Sequence, residues 1–163
     1  MKLYIKQKVF SWADKFNIKD ASGRDCYYVE GKVFSFGKKL HIYDSSHREV
    51  AYIHEKLFTF MPRYYIELNG QTIEIVKEFT LFKPSFRFEG LPLRLSGDFW
   101  EHNYTLSNNG QNIMRLTKQC LTWGDTYELD IAEHADELLC LCVALVVDCV
   151  LDAQNSSSVS SNQ

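Results

Sequence analysis

The sequence predicts a mainly β fold in which an antiparallel sheet closes around one hydrophobic C-terminal helix. Three observations carry this. From Leu3 to about Ile131 the chain is a series of short segments rich in Val, Ile, Tyr and Phe, separated by turn residues. Leu138–Val147 is an unbroken apolar run, and a helix without a polar stripe must be enclosed on all sides. The chain closes with the polar, Ser-rich QNSSSVSSNQ, which reads as a disordered tail (154–163) behind a single domain of residues 1–153.

The strands follow in order. Phe16 and Ile18 alternate with Asn17 and Lys19, and Ala21-Ser22-Gly23-Arg24 turns the chain into Cys26–Val29. Leu40 and Ile42 alternate around His41, and Asp44-Ser45-Ser46 leads into Val50–Ile53. Tyr64, Ile66 and Leu68 run to Asn69-Gly70, after which Ile73 and Ile75 resume the period of two. Asn-Gly takes the positive φ angles of a type I′ turn, so this pair is a hairpin. A second Asn-Gly, Asn109-Gly110, joins Tyr104–Leu106 to Ile113–Leu116. Phe86–Leu95 reads as a further hairpin with Glu89–Pro92 as its loop, which sets Phe88 facing Leu93 and Arg87 opposite Arg94. Strands of period two at short spacing indicate a barrel or a sandwich, not βαβ units.

The C-terminal run chooses the barrel. A bilayer span needs about 20 apolar residues, and Asp148 ends this run sooner, so no transmembrane segment is expected. A buried strand is the competing reading; the length and the Ala, Leu and Cys content favour a helix. A closed sheet would cover such a helix, and the helix would fill a barrel too wide for strand side chains alone. Asp130 or Glu133 is the expected N-cap. Asp148 shares a helical face with Ala144 and Asp152. Its carboxyl must reach water at a barrel mouth, find a partner or stay protonated.

Composition narrows the function. Hydrophobic residues at 45% and charged residues at 24% are those of an ordinary globular chain. A net charge of −3 over 163 residues gives no general attraction to phosphate backbones, so nucleic acid is not an expected partner. Lysines interrupt MKLYIKQKVFSWADKF before a signal-peptide core forms. Cys26, Cys120, Cys140, Cys142 and Cys149 are odd in number and partly embedded in the apolar run, which suits reduced thiols and a cytoplasmic location.

Few residues nominate chemistry. His54-Glu55 begins an H-E-x-x-H pattern, but position 58 is Phe. His41 and His47 flank a turn and read as surface residues. Cys140 and Cys142 form C-x-C, yet on a helix they point to different faces and read as small core hydrophobes. The sequence has no Gly-rich phosphate loop, no G-x-S-x-G elbow and no D-x-D-x-D-G calcium loop, so no catalytic residue, metal ligand or cofactor is nominated. Arg87 and Arg94 are the one positive candidate. Two like charges opposed on one face repel unless they splay apart or share an anion. They are therefore a candidate anion clamp for a phosphate head group or a partner's carboxylate.

A resemblance adds to this reading. YIKQKVFSWADKFNIKDASGRDCYYVEGKVFSFGKKLHIYD resembles the opening of the compact bacterial members of the LOR family, in the tubby-like superfamily. There a strand, a D-x-F-x-I-x-D strand and a Y-x-V-x-G strand precede a G-K-K-L-x-I-Y-D segment. TYELDIAEHADELLCLCVALVVDCVLD resembles the family's last strand running into its central helix, so the likeness covers roughly Leu3 to Asp152. It implies a tubby-like, twelve-stranded barrel around the helix, an architecture shared with phospholipid scramblases. Tubby domains bind phosphoinositide head groups, but the lysine and arginine pair they use has no matching positions here. The resulting expectation is a non-enzymatic binding or scaffold module for a lipid head group or a protein partner. The alternatives are a membrane-tethered regulator of the tubby type and a small enzyme with its site at a barrel mouth.

Overall fold

The computed structural model describes residues 1–6, 15–32, 36–121 and 124–160. Twelve strands form one antiparallel sheet. They are β1 (Lys2–Lys6), β2 (Lys15–Asp20), β3 (Asp25–Gly31), β4 (Lys39–Asp44), β5 (Glu49–Lys56), β6 (Arg63–Leu68), β7 (Gln71–Glu78), β8 (Ser85–Phe88), β9 (Leu93–Asp98), β10 (Asn103–Asn108), β11 (Gln111–Leu121) and β12 (Gly124–Ile131). The order β8-β7-β6-β5-β4-β3-β2-β1-β12-β11-β10-β9 is a meander whose first and last strands pair, from Lys2↔Asp130 to Lys6↔Thr126. This bends the sheet into a nearly closed barrel, with β8 and β9 side by side at the remaining seam.

Alternation fixes which face points inward. Tyr64, Ile66 and Leu68 are buried on β6 while Glu67 between them is exposed; Tyr104 and Leu106 are buried on β10. Both Asn-Gly turns form as the sequence requires, with φ of 51° and 74° at Asn69-Gly70 and 48° and 80° at Asn109-Gly110.

The β2–β3 and β4–β5 turns use one solution twice, in D-A-S-G-R and D-S-S-H-R. Asp20 Oδ1 accepts the Ser22 and Arg24 N–H groups at 2.8 and 3.1 Å, and Asp44 Oδ1 accepts those of Ser46 and Arg48 at 2.8 and 3.0 Å. Each arginine folds back on its own turn's carboxylate, at 2.8 and 2.7 Å. The residue before it has positive φ, Gly23 at 83° and His47 at 59°. Bonding to the Ser22 hydroxyl first, then to Arg24, holds the Asp20 carboxyl below its usual range; at Asp44 the Arg48 backbone leads the same effect.

The seam corrects one expectation. The hairpin that would set Arg87 opposite Arg94 does not form: β8 pairs with β7, from Ile75↔Phe88 to Glu78↔Ser85, and β9 with β10, from Leu93↔Asn108 to Asp98↔Asn103. Each seam strand begins directly after a proline, Pro84 or Pro92, which has no N–H to offer a ladder. Gly97, at φ +136°, lets β9 follow β10 so closely that a Cβ there would lie 2.6 Å from Tyr104 Cα. Tilted aromatic contacts fill the gap instead, Phe86 against Phe99 at 5.4 Å and Phe99 against Tyr104 at 5.2 Å between ring centroids.

The helix α1 (Glu137–Ser160) runs inside this wall. Every residue from Cys140 to Leu151 is buried, packed on inward side chains such as Leu3, Ile18, Ile42, Ile66 and Leu129. The expected cap is corrected: Asp136, not Asp130 or Glu133, accepts the Leu139 N–H at 2.9 Å. Asp130 still belongs to β12, and Glu133 lies in the turn closed by Ala135 N–H on the Ala132 carbonyl. The helix continues beyond Ala153 as far as Ser160; residues 161–163 of the expected tail lie outside the described residues. Among the described residues no helix is long and apolar enough to cross a membrane.

Val147→Asp places an unpaired carboxylate at a fully enclosed position. It should cost about 4 kcal/mol or more and leave no cooperative thermal transition. Gly97→Ala drives a methyl into the β10 backbone, and urea melts should show it destabilised by about 2 kcal/mol or more.

Candidate functional site at the loop end

Because every neighbouring pair is antiparallel, the connections alternate between two ends. At one end lie the tight turns β2–β3, β4–β5, β6–β7, β8–β9 and β10–β11, with the Asp136 cap. At the other lie the β1–β2, β3–β4, β5–β6, β7–β8, β9–β10 and β11–β12 connections, with the exit of α1. The two ends differ in chemistry. Phe36, Phe58, Phe60, Phe79, Leu81 and Phe82 project from the loop end with 71–101% of their surface exposed, and Trp100 with 46%. At the turn end only Leu91 and Met1, among the described residues, are exposed large hydrophobics. Monomeric surfaces do not keep apolar groups clustered in water without a use for them.

Two neighbouring loops carry most of these side chains and share a pattern: K-L-F-T-F-M-P-R in β5–β6 (56–63) and K-E-F-T-L-F-K-P in β7–β8 (77–84). In each, basic residues flank an F-T-apolar tip and a proline follows. Thr59 Oγ1 donates to the Lys56 carbonyl at 3.3 Å, and Thr80 Oγ1 donates to the Lys83 carbonyl. The Lys77 N–H donates to the Pro62 carbonyl at 2.9 Å, tying the two loop bases together. Gly37 of the β3–β4 loop packs on Leu57, where an added Cβ would lie 2.9 Å from the leucine side chain.

Behind the loops, Lys38 grips the departing helix. Its Nζ donates to the Cys149 carbonyl at 2.6 Å and lies 3.4 Å from Asp152. Asp148 is 8% exposed, and its Oδ2 has no hydrogen-bond partner. Burial, with the Asp152 carboxylate adding and Lys38 opposing, pushes its carboxyl well above the usual range. The face shared by Asp148 and Asp152 does point to the barrel mouth, but Asp148 lies inside it.

The other sequence candidates lie on the outer wall or in the core. Arg87 and Arg94 are both exposed on the outer wall, on either side of the seam. Arg87 lies 3.7 Å from Glu78 and pairs with Glu89; Arg94 is aligned with Ser107 on β10. His41 and His54 sit on the outer wall within an aromatic row. His41 packs tilted against Tyr52 at 4.6 Å and His54 against Tyr65 at 5.2 Å, and each ring bonds a glutamate, Glu49 at 2.9 Å and Glu67 at 3.1 Å. His47 stacks on Tyr28 instead of joining His41. Cys140, Cys142 and Cys149 are buried core thiols. Burial raises all three, Cys140 to about 12. Cys120 lies outside the described side chains. Among the described residues no cluster of three or more His, Cys, Asp or Glu could hold a metal. A cleft of about 810 Å³ opens where β1 and β2 part, and its Lys15 and Lys19 are already paired with Glu30 and Asp25.

The architecture has known counterparts. The LURP-one-related (LOR) family model matches residues 1–148. The chain belongs to the LOR family. It is 38% identical over 161 residues to the uncharacterized protein YxjI of Bacillus subtilis, covering 98% of this chain and 99% of YxjI. Its fold is similar to an X-ray structure of an Arabidopsis thaliana protein, with a TM-score of 0.61, 15% identity, and 94% and 90% of the two chains covered. At that identity the likeness is one of fold alone.

The aromatic loops of this LOR protein escaped sequence reasoning because F-T-F-M and F-T-L-F look like ordinary core segments. The legible signal was the repeated K…F-T…P frame. For Asp148 the sequence signal was clear and its consequence is a pH dependence. In the unfolded chain an Asp ionises near ~4; in the fold the carboxyl keeps its proton to higher pH. Stability therefore falls as pH rises from about 4 toward the folded value, at up to about 1.4 kcal/mol per pH unit. Asp148→Asn should remove that slope, so urea melts across the range should show its advantage over wild type growing with pH.

Proposed function

We propose that this LOR protein is a non-enzymatic binding module that docks end-on, presenting its loop end to a partner whose surface is both apolar and negatively charged. The observation that carries this is the segregation of nearly all exposed large apolar side chains to one end. Lys6, Lys56 and Lys83 are exposed at or near that end, whereas the Asp20, Asp44 and Glu89 carboxylates at the other are each paired with an arginine. The helix occupies the barrel interior, so a ligand must sit outside or at an end. The groups whose acidities are most displaced, Tyr64, Tyr104, Cys142, Cys149 and Asp148, lie buried between helix and wall. Arg87 is not part of this reading, since Glu78 and Glu89 already neutralise it.

Hydroxyl-radical footprinting tests the docking face. Phe58, Phe60 and Phe82 should label strongly in purified protein and become protected in an extract of the producing cells, while Leu91 at the turn end keeps its labelling. Equal labelling of the loop tips in both settings would overturn the reading.

A further inference from the structure

We infer that the β5–β6 and β7–β8 loops are a pair of membrane-inserting prongs, and that the partner of the loop end is a bilayer surface carrying anionic lipid. This rests on the end-on docking reading and names its partner. The prongs stand out from the barrel: Phe58, Phe60, Phe79, Leu81 and Phe82 keep 71–101% of their surface exposed. A fluid acyl layer accepts such projections without a matching concavity, whereas a folded protein partner would need a shaped recess. Each prong also has the layered chemistry of a membrane interface, apolar and aromatic at its tip and basic at its base. Exposed Lys56 flanks one and exposed Lys83 the other, while Arg63 is held by Glu74 and Lys77 is half-buried. Aromatic groups settle at the acyl boundary while lysines meet anionic head groups.

Backbone conformation gives a second, independent observation. Phe58 has φ +57° and is fully exposed. A bulky residue in the left-handed region is strained, and Asn or Gly would sit there more easily. Its ring gains no burial in the free protein that would offset the strain. A use outside the free protein, burial in lipid, accounts for a phenylalanine at this position. The threonine braces and the Lys77–Pro62 hydrogen bond preform the prongs, so little ordering remains to be done on contact. The prongs occupy one sector of the rim, so the barrel docks tilted, with the helix exit beside the contact. Membrane attachment then needs no spanning helix.

The test is co-sedimentation of the full chain with phosphatidylcholine vesicles, with and without phosphatidylglycerol. Wild type should bind the phosphatidylglycerol vesicles, less as salt rises. Phe58→Asn/Phe82→Ser should lose about tenfold or more in partitioning while melting no lower than wild type. Lys56→Gln and Lys83→Gln should each lose about fivefold, on anionic vesicles only. Phe82→Trp emission should shift to the blue and be quenched by brominated acyl chains. Absence of vesicle binding, or full binding by Phe58→Asn/Phe82→Ser, would overturn the inference. If vesicles fail but the loop tips are still protected in extract, the bilayer falls and end-on docking stands. If protection is absent as well, both fall.

Discussion

The enclosure of Cys140–Leu151 by the sheet is the contact from which the rest of the structure follows. Each partner lacks a core without the other. The helix has no polar face to turn to water, and the inward side chains of the strands cannot meet across a barrel this wide. Every strand that contributes to the wall therefore competes for a place against the helix, and this fixes register, since a one-residue slip would turn a strand's apolar set outward. Hydrophobic burial along a single axis substitutes for the two-layer packing of a sandwich.

That axis also gives the barrel its polarity. A meander with its helix entering from the last strand puts five tight turns and the helix cap at one end, and the long β5–β6 and β7–β8 loops with the helix exit at the other. The turn end is built for rigidity: two Asn-Gly hairpins, two aspartate-bracketed turns and the Asp136 cap satisfy their backbone groups locally. The loop end, braced at Thr59, Thr80 and the Lys77–Pro62 hydrogen bond, holds phenylalanines in water. Exposed lysines stand at the second end, while the Asp20, Asp44 and Glu89 carboxylates of the first are paired with arginines.

Burial and function pull apart in the same way elsewhere. The Cys140, Cys142 and Cys149 thiols, read from the sequence as small core hydrophobes, lie shielded between helix and wall, as does Asp148. His41 and His54, which the sequence did not nominate as ligands, are held in an aromatic row with glutamate partners. What remains available to a partner is surface, and the surface that is chemically unusual is the rim around the helix exit.

The sequence alone determined the strands, both Asn-Gly hairpins and the buried helix, because each depends on short-range periodicity or local turn geometry. Leu138–Val147 could be read as enclosed because an apolar run on a helix has only one resolution in water. It also exposed Asp148 as a buried-charge problem. Tertiary structure decided three matters. It set Asp136 as the cap, since three carboxylates compete locally and only the chain's path selects one. It left Arg87 and Arg94 on two sides of a seam, because proline-led strands and the close approach at Gly97 favour tilted aromatic contacts over a ladder. And it turned Phe58, Phe60 and Phe82 outward, which composition cannot reveal: an apolar residue reads as core until the fold shows there is no core left to enter.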